Sequence, residues 1–348
     1  MARSVVLLFP GQGAQYPGMA VDLYHRHTTF RAAMDEVLSL WGNEGRAIRA
    51  DWLADWPLID LDDLRRAQPL LFAVDHALAV TLREAGIVPV ALLGHSVGEV
   101  VAAVAAGVLS LPEAAGLLAE RIAQLGDAPP GGMLSVAASP ADVRPFLTDE
   151  VALGAVNAAR SVVLAGPAAP LEDARARLRA AGFTTLTVPA RVPFHSPVLG
   201  GHAARSLSSV RRLTWAPPAV PLYSGYTGGL LGPAAATDPD FWAAQPARPV
   251  YFADALAAVA TAGDQLLVEC GPGWTLTIPA RRSPQVLRAG TPVIPLLPRR
   301  AGASGSDLRH VAEAIAGIVE AAGTPGSDAV DLPTSVPPTK VTATQLSG

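Results

Sequence analysis

Apolar residues fall in short blocks separated by Gly and Pro. Ser4–Phe9 is apolar after its first residue and stops at Pro10-Gly11, which predicts a strand buried on both faces, as in a parallel sheet. Gln68–Ala85 instead places Leu71, Val74, Leu78 and Leu82 at helical spacing. Val88–Leu93 predicts a second buried strand. Val97–Ala106 predicts an Ala-rich helix ended by Gly107, and Pro112 opens another through Arg121 and Leu125. Beyond the loop cluster Asp127–Gly132 the texture changes. Strands are predicted at Met133–Ala137, Val151–Asn157, Ser161–Ala165 and Phe183–Val188, with helices at Pro140–Leu147 and Pro170–Ala181. This β-α-β-β-α-β order is the ferredoxin-like pattern. From Phe194 the first texture returns, with strands near Val220–Ser224, Gln265–Glu269 and Thr291–Leu296. Helices are predicted near Asp238–Ala244, Ala253–Ala262 and Asp307–Ala322.

The expected class is therefore α/β: a large domain with a parallel central sheet over 1–128 and 190–322, interrupted by a ferredoxin-like small subdomain over 129–189. Residues 323–348 are rich in Pro, Thr, Ser and Gly without periodicity and predict a disordered tail. Composition narrows the picture. Half of the 348 residues are hydrophobic and 16% are charged, enough for a large core. Aromatics are 5%, so Ala, Val and Leu must fill that core. A formal net charge of −4 gives no reason to expect nucleic acid or an anionic membrane as partner. The single cysteine, Cys270, rules out an internal disulfide framework and a cysteine-based metal site and fits a reducing cytoplasm. No secretory signal is visible. The longest apolar stretch, Val100–Leu109, is far below the ~18 residues of a membrane span.

Gly94-His95-Ser96-Val97-Gly98 follows a predicted strand and precedes a predicted helix, the setting of a nucleophile elbow in a hydrolase-like domain. A serine on so tight a turn needs neighbours without Cβ two positions either side. The Val97 N–H, at the helix N-terminus, can help to hold an oxyanion. A serine nucleophile also needs a base. Among His25, His27, His76, His95, His195, His202 and His310, His95 leaves the turn in another direction and most others lie in surface or core contexts. His195 is a candidate in the loop Pro193-Phe194-His195-Ser196-Pro197. No acid stands out as its partner. Asp264 and Glu269 are open choices, and a main-chain carbonyl would orient the imidazole as well. Phe9–Gln15 is a Gly-rich turn without the Lys-Ser/Thr of a phosphate loop or dinucleotide spacing. A side-chain amide such as Gln12, held beside the elbow, can serve the oxyanion hole.

Together these segments resemble the malonyl-CoA:acyl-carrier-protein transacylase family and the acyltransferase domains of polyketide synthases. The resemblance runs over about residues 4–300 and is carried in order by Phe9–Gln15, Gln68-Pro69, Gly94–Glu99, Arg121, Gly131-Gly132-Met133, Val156-Asn157, Phe194–Pro197 and Glu269–Pro272. It implies that Ser96 is acylated from a thioester, that His195 is its base, and that Gln12 and the Val97 amide form the oxyanion hole. Arg121 would pair with a substrate carboxylate, for which a guanidinium fork is suited. Gln68, His95, Asn157 and Phe194 are the other implied substrate-binding positions, and a bulky Phe194 points to malonyl over an α-branched group. The sequence departs from the family pattern in Val192-Pro193 and in the proline-containing stretch after Arg121.

The resemblance implies a ping-pong acyltransferase. It would take an acyl group, malonyl first, from an acyl-CoA or an acyl-carrier donor and give it to the phosphopantetheine thiol of an acyl carrier protein. Polyketide synthase modules are expected partners. No metal or other cofactor is expected, since coenzyme A enters only as substrate. The start at Met1, directly before the first strand, suggests a discrete enzyme acting in trans. Carrier-to-carrier transfer of an unusual starter or aminoacyl-type unit, and a serine thioester hydrolase, remain alternatives.

Overall fold

The computed structural model describes residues 2–323. The predicted tail therefore lies outside the described residues, save Gly323. Ten strands form two sheets: β1 Ser4–Phe9, β2 Ala91–Gly94, β3 Gly131–Val136, β4 Ala152–Ala158, β5 Ser161–Pro167, β6 Thr185–Val188, β7 Leu222–Ser224, β8 Gly229–Leu230, β9 Gln265–Glu269 and β10 Val293–Pro295. The larger sheet runs β10-β9-β1-β2-β7-β8, parallel except for the β7–β8 hairpin. β2 and β9 are buried along their whole length and β1 beyond its first residue, the reason for their unbroken apolar runs. The smaller sheet, β4-β5-β3-β6, is antiparallel and carries its own core of Leu134, Val136, Val162, Leu164, Ala174 and Leu178. Its strand order is ferredoxin-like. Ala155 in β4 also forms an isolated parallel bridge with Val250, in the segment just before the helix Phe252–Ala260.

Several boundaries differ from expectation for local reasons. The strand expected from Val88 begins only at Ala91. Val88 and Val90 are exposed, and Pro89 between them has no N–H to give to a ladder. The helix expected from Gln68 starts at Leu64 and continues through Pro69. Asp63 caps it by accepting from the Arg65 N–H, and burial of Arg66, Ala67 and Gln68 holds the first turns. The helix carrying Arg121, Leu111–Gln124, is fixed by a capping box between Ser110 and Glu113. Helices Thr28–Ser39, Gly42–Leu53 and Gly200–Val210 have no counterpart among the predicted elements. The first buries Phe30, Ala33, Met34, Val37 and Leu38, a stripe that the surrounding polar residues dilute in the sequence. No helix among the described residues is long and apolar enough to cross a membrane.

Candidate active site

Ser96 sits between the end of β2 and the helix Gly98–Ala105, with φ at 56°. That left-handed conformation costs an L-residue roughly 1–2 kcal/mol. Close packing enforces it. A Cβ on Gly94 would overlap the Glu99 backbone, and one on Gly98 would overlap the Phe9 carbonyl. Both glycines of the elbow are thus required by space. A Cβ on Gly11 would meet the His95 carbonyl and the Ser96 side chain, so the turn after β1 lies directly against the elbow.

His195 comes from a loop 99 residues further on, and its Nε2 stands 2.8 Å from Ser96 Oγ. Its Nδ1 lies 3.1 Å from the Arg248 carbonyl oxygen, which accepts the ring N–H and leaves the Nε2 lone pair facing the serine. The His195 main chain also has positive φ, 64°, and its N–H donates to the Pro246 carbonyl at 2.7 Å. Burial pushes the imidazole down to about 3, and nearby His95 acts in the same direction, so the ring is neutral at pH 7. Neither acid considered from the sequence orients it. Asp264 pairs with Arg3 at 3.0 Å, and Glu269 accepts from the Leu276 and Thr277 N–H groups. A carbonyl performs that task.

Ser96 and His195 open onto a cavity of about 960 Å³ between the two sheets, which Gln12, His95, Asn157 and Phe194 also line. Its walls are mainly apolar, among them Met133, Val156, Leu186, Leu256 and Trp274. His95 Nε2 and Asn157 Oδ1 are 2.8 Å apart and bind each other across the gap between the sheets. The Gln12 side chain does not serve as expected. Its amide nitrogen is turned to the Pro189 and Asp62 carbonyls at 3.4 and 3.5 Å, and its Oε1 accepts from Gln68 Nε2 at 3.3 Å. Gln68 is buried behind Gln12 and does not line the cavity. Val97 is buried at the helix start, its N–H unbonded among the described residues.

Arg121 also lies outside the cavity lining, 8% exposed. One of its terminal nitrogens donates to the Trp242 carbonyl at 3.0 Å and to Gln245 Oε1 at 3.3 Å. Neutral oxygens of the protein thus already face Arg121. Gln245 in turn donates to Glu99 at 3.4 Å, and Glu99 accepts from Ser224 Oγ at 2.9 Å and from the Gly225 N–H at 2.7 Å. Burial pushes the Glu99 carboxyl up to about 8, against the pull of those donors and of Arg121. Tyr226, on the turn between β7 and β8, stacks at a tilt on His195 with ring centroids 5.9 Å apart. Glu99, Tyr226, Gln245 and the Arg248 carbonyl were not singled out from the sequence as site residues. The one available signal was the polar turn Gly225–Gly229 directly after an apolar strand.

A serine hydroxyl hydrogen-bonded to a neutral imidazole at the floor of a cavity can form and discharge an ester. A family model described as an acyl transferase domain matches residues 6–299. The chain belongs to that family. As an acyltransferase domain it is 37% identical over 280 residues, 79% of its length, to the polyketide synthase GfsB of Streptomyces halstedii. It is 32% identical over 328 residues, 90% of its length, to the erythronolide synthase EryA2 of Saccharopolyspora erythraea. It spans only 5% and 9% of those relatives' own lengths. Among solved structures, the acyl transferase domain of SpnD in complex with 2-(pent-4-yn-1-yl)malonyl superposes with a TM-score of 0.84 at 32% identity, covering 92% of this chain and 77% of that one. FabD from Acinetobacter baumannii, at 22% identity, has a TM-score of 0.80 over 92% of this chain and all of its own, a likeness of fold.

Proposed function

We propose that this acyltransferase carries its acyl group as an ester on Ser96 and passes it to the phosphopantetheine thiol of an acyl carrier protein, with malonyl as the first candidate. The observation that carries this reading is the 2.8 Å contact between Ser96 Oγ and the unprotonated His195 Nε2 at the cavity floor. Ser96 Oγ attacks the thioester carbonyl while its proton passes to His195 Nε2. The C–S bond then breaks, and the departing thiolate takes that proton. In the second half His195 takes the proton of the incoming thiol, the sulfur attacks the ester, and Ser96 leaves with the proton back on Oγ. The main-chain N–H groups of Val97 and Gln12 are the proposed oxyanion donors. The first is free at a helix start, and the second follows Gly11, which packs on Ser96. Arg121 is the proposed anchor for a distal carboxylate, which would take the place of Gln245 Oε1 on the guanidinium. Coenzyme A or the carrier's pantetheine arm would lie in the cavity as part of the substrate, and the chemistry needs no further cofactor.

A neutral acyl chain, such as a starter unit handed between carriers, is the second reading. It is favoured by the two oxygens already on Arg121 and by the mainly apolar walls around Ser96. Incubation with malonyl-CoA, acetyl-CoA and longer acyl-CoA esters or acyl-carriers, followed by intact-protein and peptide mass spectrometry, separates the two. A malonyl ester on the Ser96 peptide that chases onto a holo-carrier is expected. Acylation by neutral donors alone would replace malonyl with the second reading, and no adduct from any donor would sink both.

A further inference from the structure

Two main-chain carbonyls hold His195, and both come from one short turn. The His195 N–H donates to the Pro246 carbonyl at 2.7 Å, and the Arg248 carbonyl accepts from Nδ1 at 3.1 Å. The turn is a 3-10 element, Gln245–Ala247, closed by the Arg248 N–H donating to the Gln245 carbonyl at 3.2 Å. Pro246 and Pro249 each have a φ fixed by the ring, which stiffens the segment so that it moves as a piece. A shift at either end therefore reaches both carbonyls and, through them, the 2.8 Å contact between His195 and Ser96. The His195 backbone itself, at φ 64°, keeps a conformation that an L-residue holds only where its surroundings enforce it.

The far end of the turn is tied to the small sheet. The Val250 N–H donates to the Gly154 carbonyl at 2.9 Å, and the Val156 N–H donates to the Val250 carbonyl at 2.8 Å. The near end follows the helix Pro239–Ala244, and there the fully buried Gln245 side chain makes the tie. Its Oε1 accepts from Arg121 at 3.3 Å, and its Nε2 donates to Glu99 at 3.4 Å. Both partners are held in their turn. The same Arg121 nitrogen donates to the Trp242 carbonyl at 3.0 Å, three residues before Gln245, and Glu99 accepts from Ser224 Oγ and the Gly225 N–H. Of the side chains of residues 245–248, only that of Gln245 makes hydrogen bonds among the described residues. A buried amide is costly without partners, so these two bonds also fix where the start of the turn can lie.

We propose that Gln245 is a positioning residue for the base: its side chain, clamped between Arg121 and Glu99, fixes the turn whose two carbonyls set the placement and tautomer of His195. This rests on the acyl-serine reading above. Gln245 would act through His195 in both half-reactions and without regard to the acyl group. A distal carboxylate taking the place of Oε1 on Arg121 would leave the Nε2 bond to Glu99 intact.

The test is single-turnover acylation of Ser96 in wild type, Q245M, Q245A and Q245N, with each donor that the wild type accepts among malonyl-, acetyl- and longer acyl-CoA esters. Rapid quench gives the maximal rate and the half-saturating donor concentration, and thermal unfolding shows which variants are folded. Q245M keeps the volume and deletes both bonds. It should lower the maximal rate on the order of 10²-fold, the scale of a 1 Å misplacement of a reacting group, with half-saturation within about twofold of wild type. Q245A should do the same, and Q245N, one methylene short of reaching both partners, should lose less. The pH profile separates positioning from mere scaffolding. The titratable groups facing His195 are His95 on the elbow, Arg121 on the helix Leu111–Gln124 and Tyr226 on the turn after β7, and all are kept in these variants. Loosening the turn lets water reach the imidazole, whose pKa then rises toward its ordinary 6.5. The base works only when neutral, so the variants should lose rate below about pH 6.5 while wild type holds its rate to lower pH. A folded variant with a maximal rate within about twofold of wild type overturns the proposal, as does a slowed variant with the wild-type acid limb. A loss confined to malonyl-CoA also overturns it, because Gln245 would then serve the carboxylate site. A wild type that forms no Ser96 adduct with any donor fails the underlying reading instead and is recognised by that.

Discussion

The two faces of His195 differ in kind. On the Ser96 side every group near the reacting atoms is neutral and open to a cavity: a hydroxyl, an imidazole pushed down to about 3, and the His95–Asn157 pair. On the far side lies a closed polar cluster in which Arg121 is the cation, the Glu99 carboxyl is pushed up to about 8 by burial, and Gln245 is hydrogen-bonded to both. Tyr226 joins the two: its ring stacks at a tilt on His195, and its N–H donates to Ser224, which binds Glu99. Burial leaves the imidazole neutral with its Nε2 lone pair free for the serine at pH 7, and the Arg121 charge beyond it acts in the same direction.

That division is broken most severely by S96A, which should abolish the covalent acyl adduct altogether, read by intact-protein mass spectrometry; a persistent adduct of the same mass would relocate the nucleophile. H195A should come next, lowering transfer at least about 10³-fold, as removal of the base in a serine–histidine pair does. Stopped-flow acylation would measure it, and a loss below tenfold would show that the 2.8 Å contact is not used. R121A should be smaller and selective. Malonyl-CoA should lose about 30-fold or more in kcat/KM, the usual cost of removing one partner of a buried charge pair, while acetyl-CoA changes little. Equal losses for both donors would assign Arg121 to scaffold alone.

The smallest effect is on pH dependence. Glu99 has a folded pKa above its ordinary value of 4.5, so its contribution to stability is complete below pH 4.5 and is lost as pH rises through about 8. Glu269, raised to about 7, has the same sign. Wild-type melting temperature should therefore fall between pH 5 and pH 8, and E99Q should flatten that fall by roughly 2–4 °C, as differential scanning fluorimetry across a pH series would read. An unchanged slope in E99Q would mean that Glu99 stays ionised. His195 has the opposite sign, since its folded pKa is depressed: stability is complete above pH 6.5 and lost as pH falls toward 3.

How much of the site could be read in advance depended on sequence distance. Ser96 was legible because an elbow is local: Gly94 and Gly98 are demanded by backbone atoms within a few residues and by β1 beside them. His195 was one candidate among seven histidines until the family resemblance named it. A main-chain carbonyl was one open choice for its orienting group, but which residue supplies it was not legible, because every residue carries a carbonyl and only folding decides that Arg248 presents one at 3.1 Å. Gln12 was placed in the turn that packs on the elbow, but the direction of its side-chain amide was not legible, since it finds Pro189 and Asp62 on segments far along the chain.

The linear order of residues by itself determined the two textures of the chain, the interruption of a parallel α/β sheet by a ferredoxin-like unit, the elbow serine and the family. The first two follow from periodicity, the elbow from steric demands within one turn, and the family from the resemblance carried by motifs in their order along the chain. Tertiary structure alone decided that a carbonyl and not an acid orients the base, that Arg121 lies outside the cavity lining on neutral oxygens, and that Tyr226 stacks on His195. Those outcomes depend on which segments meet in three dimensions, and no spacing along the chain encodes that.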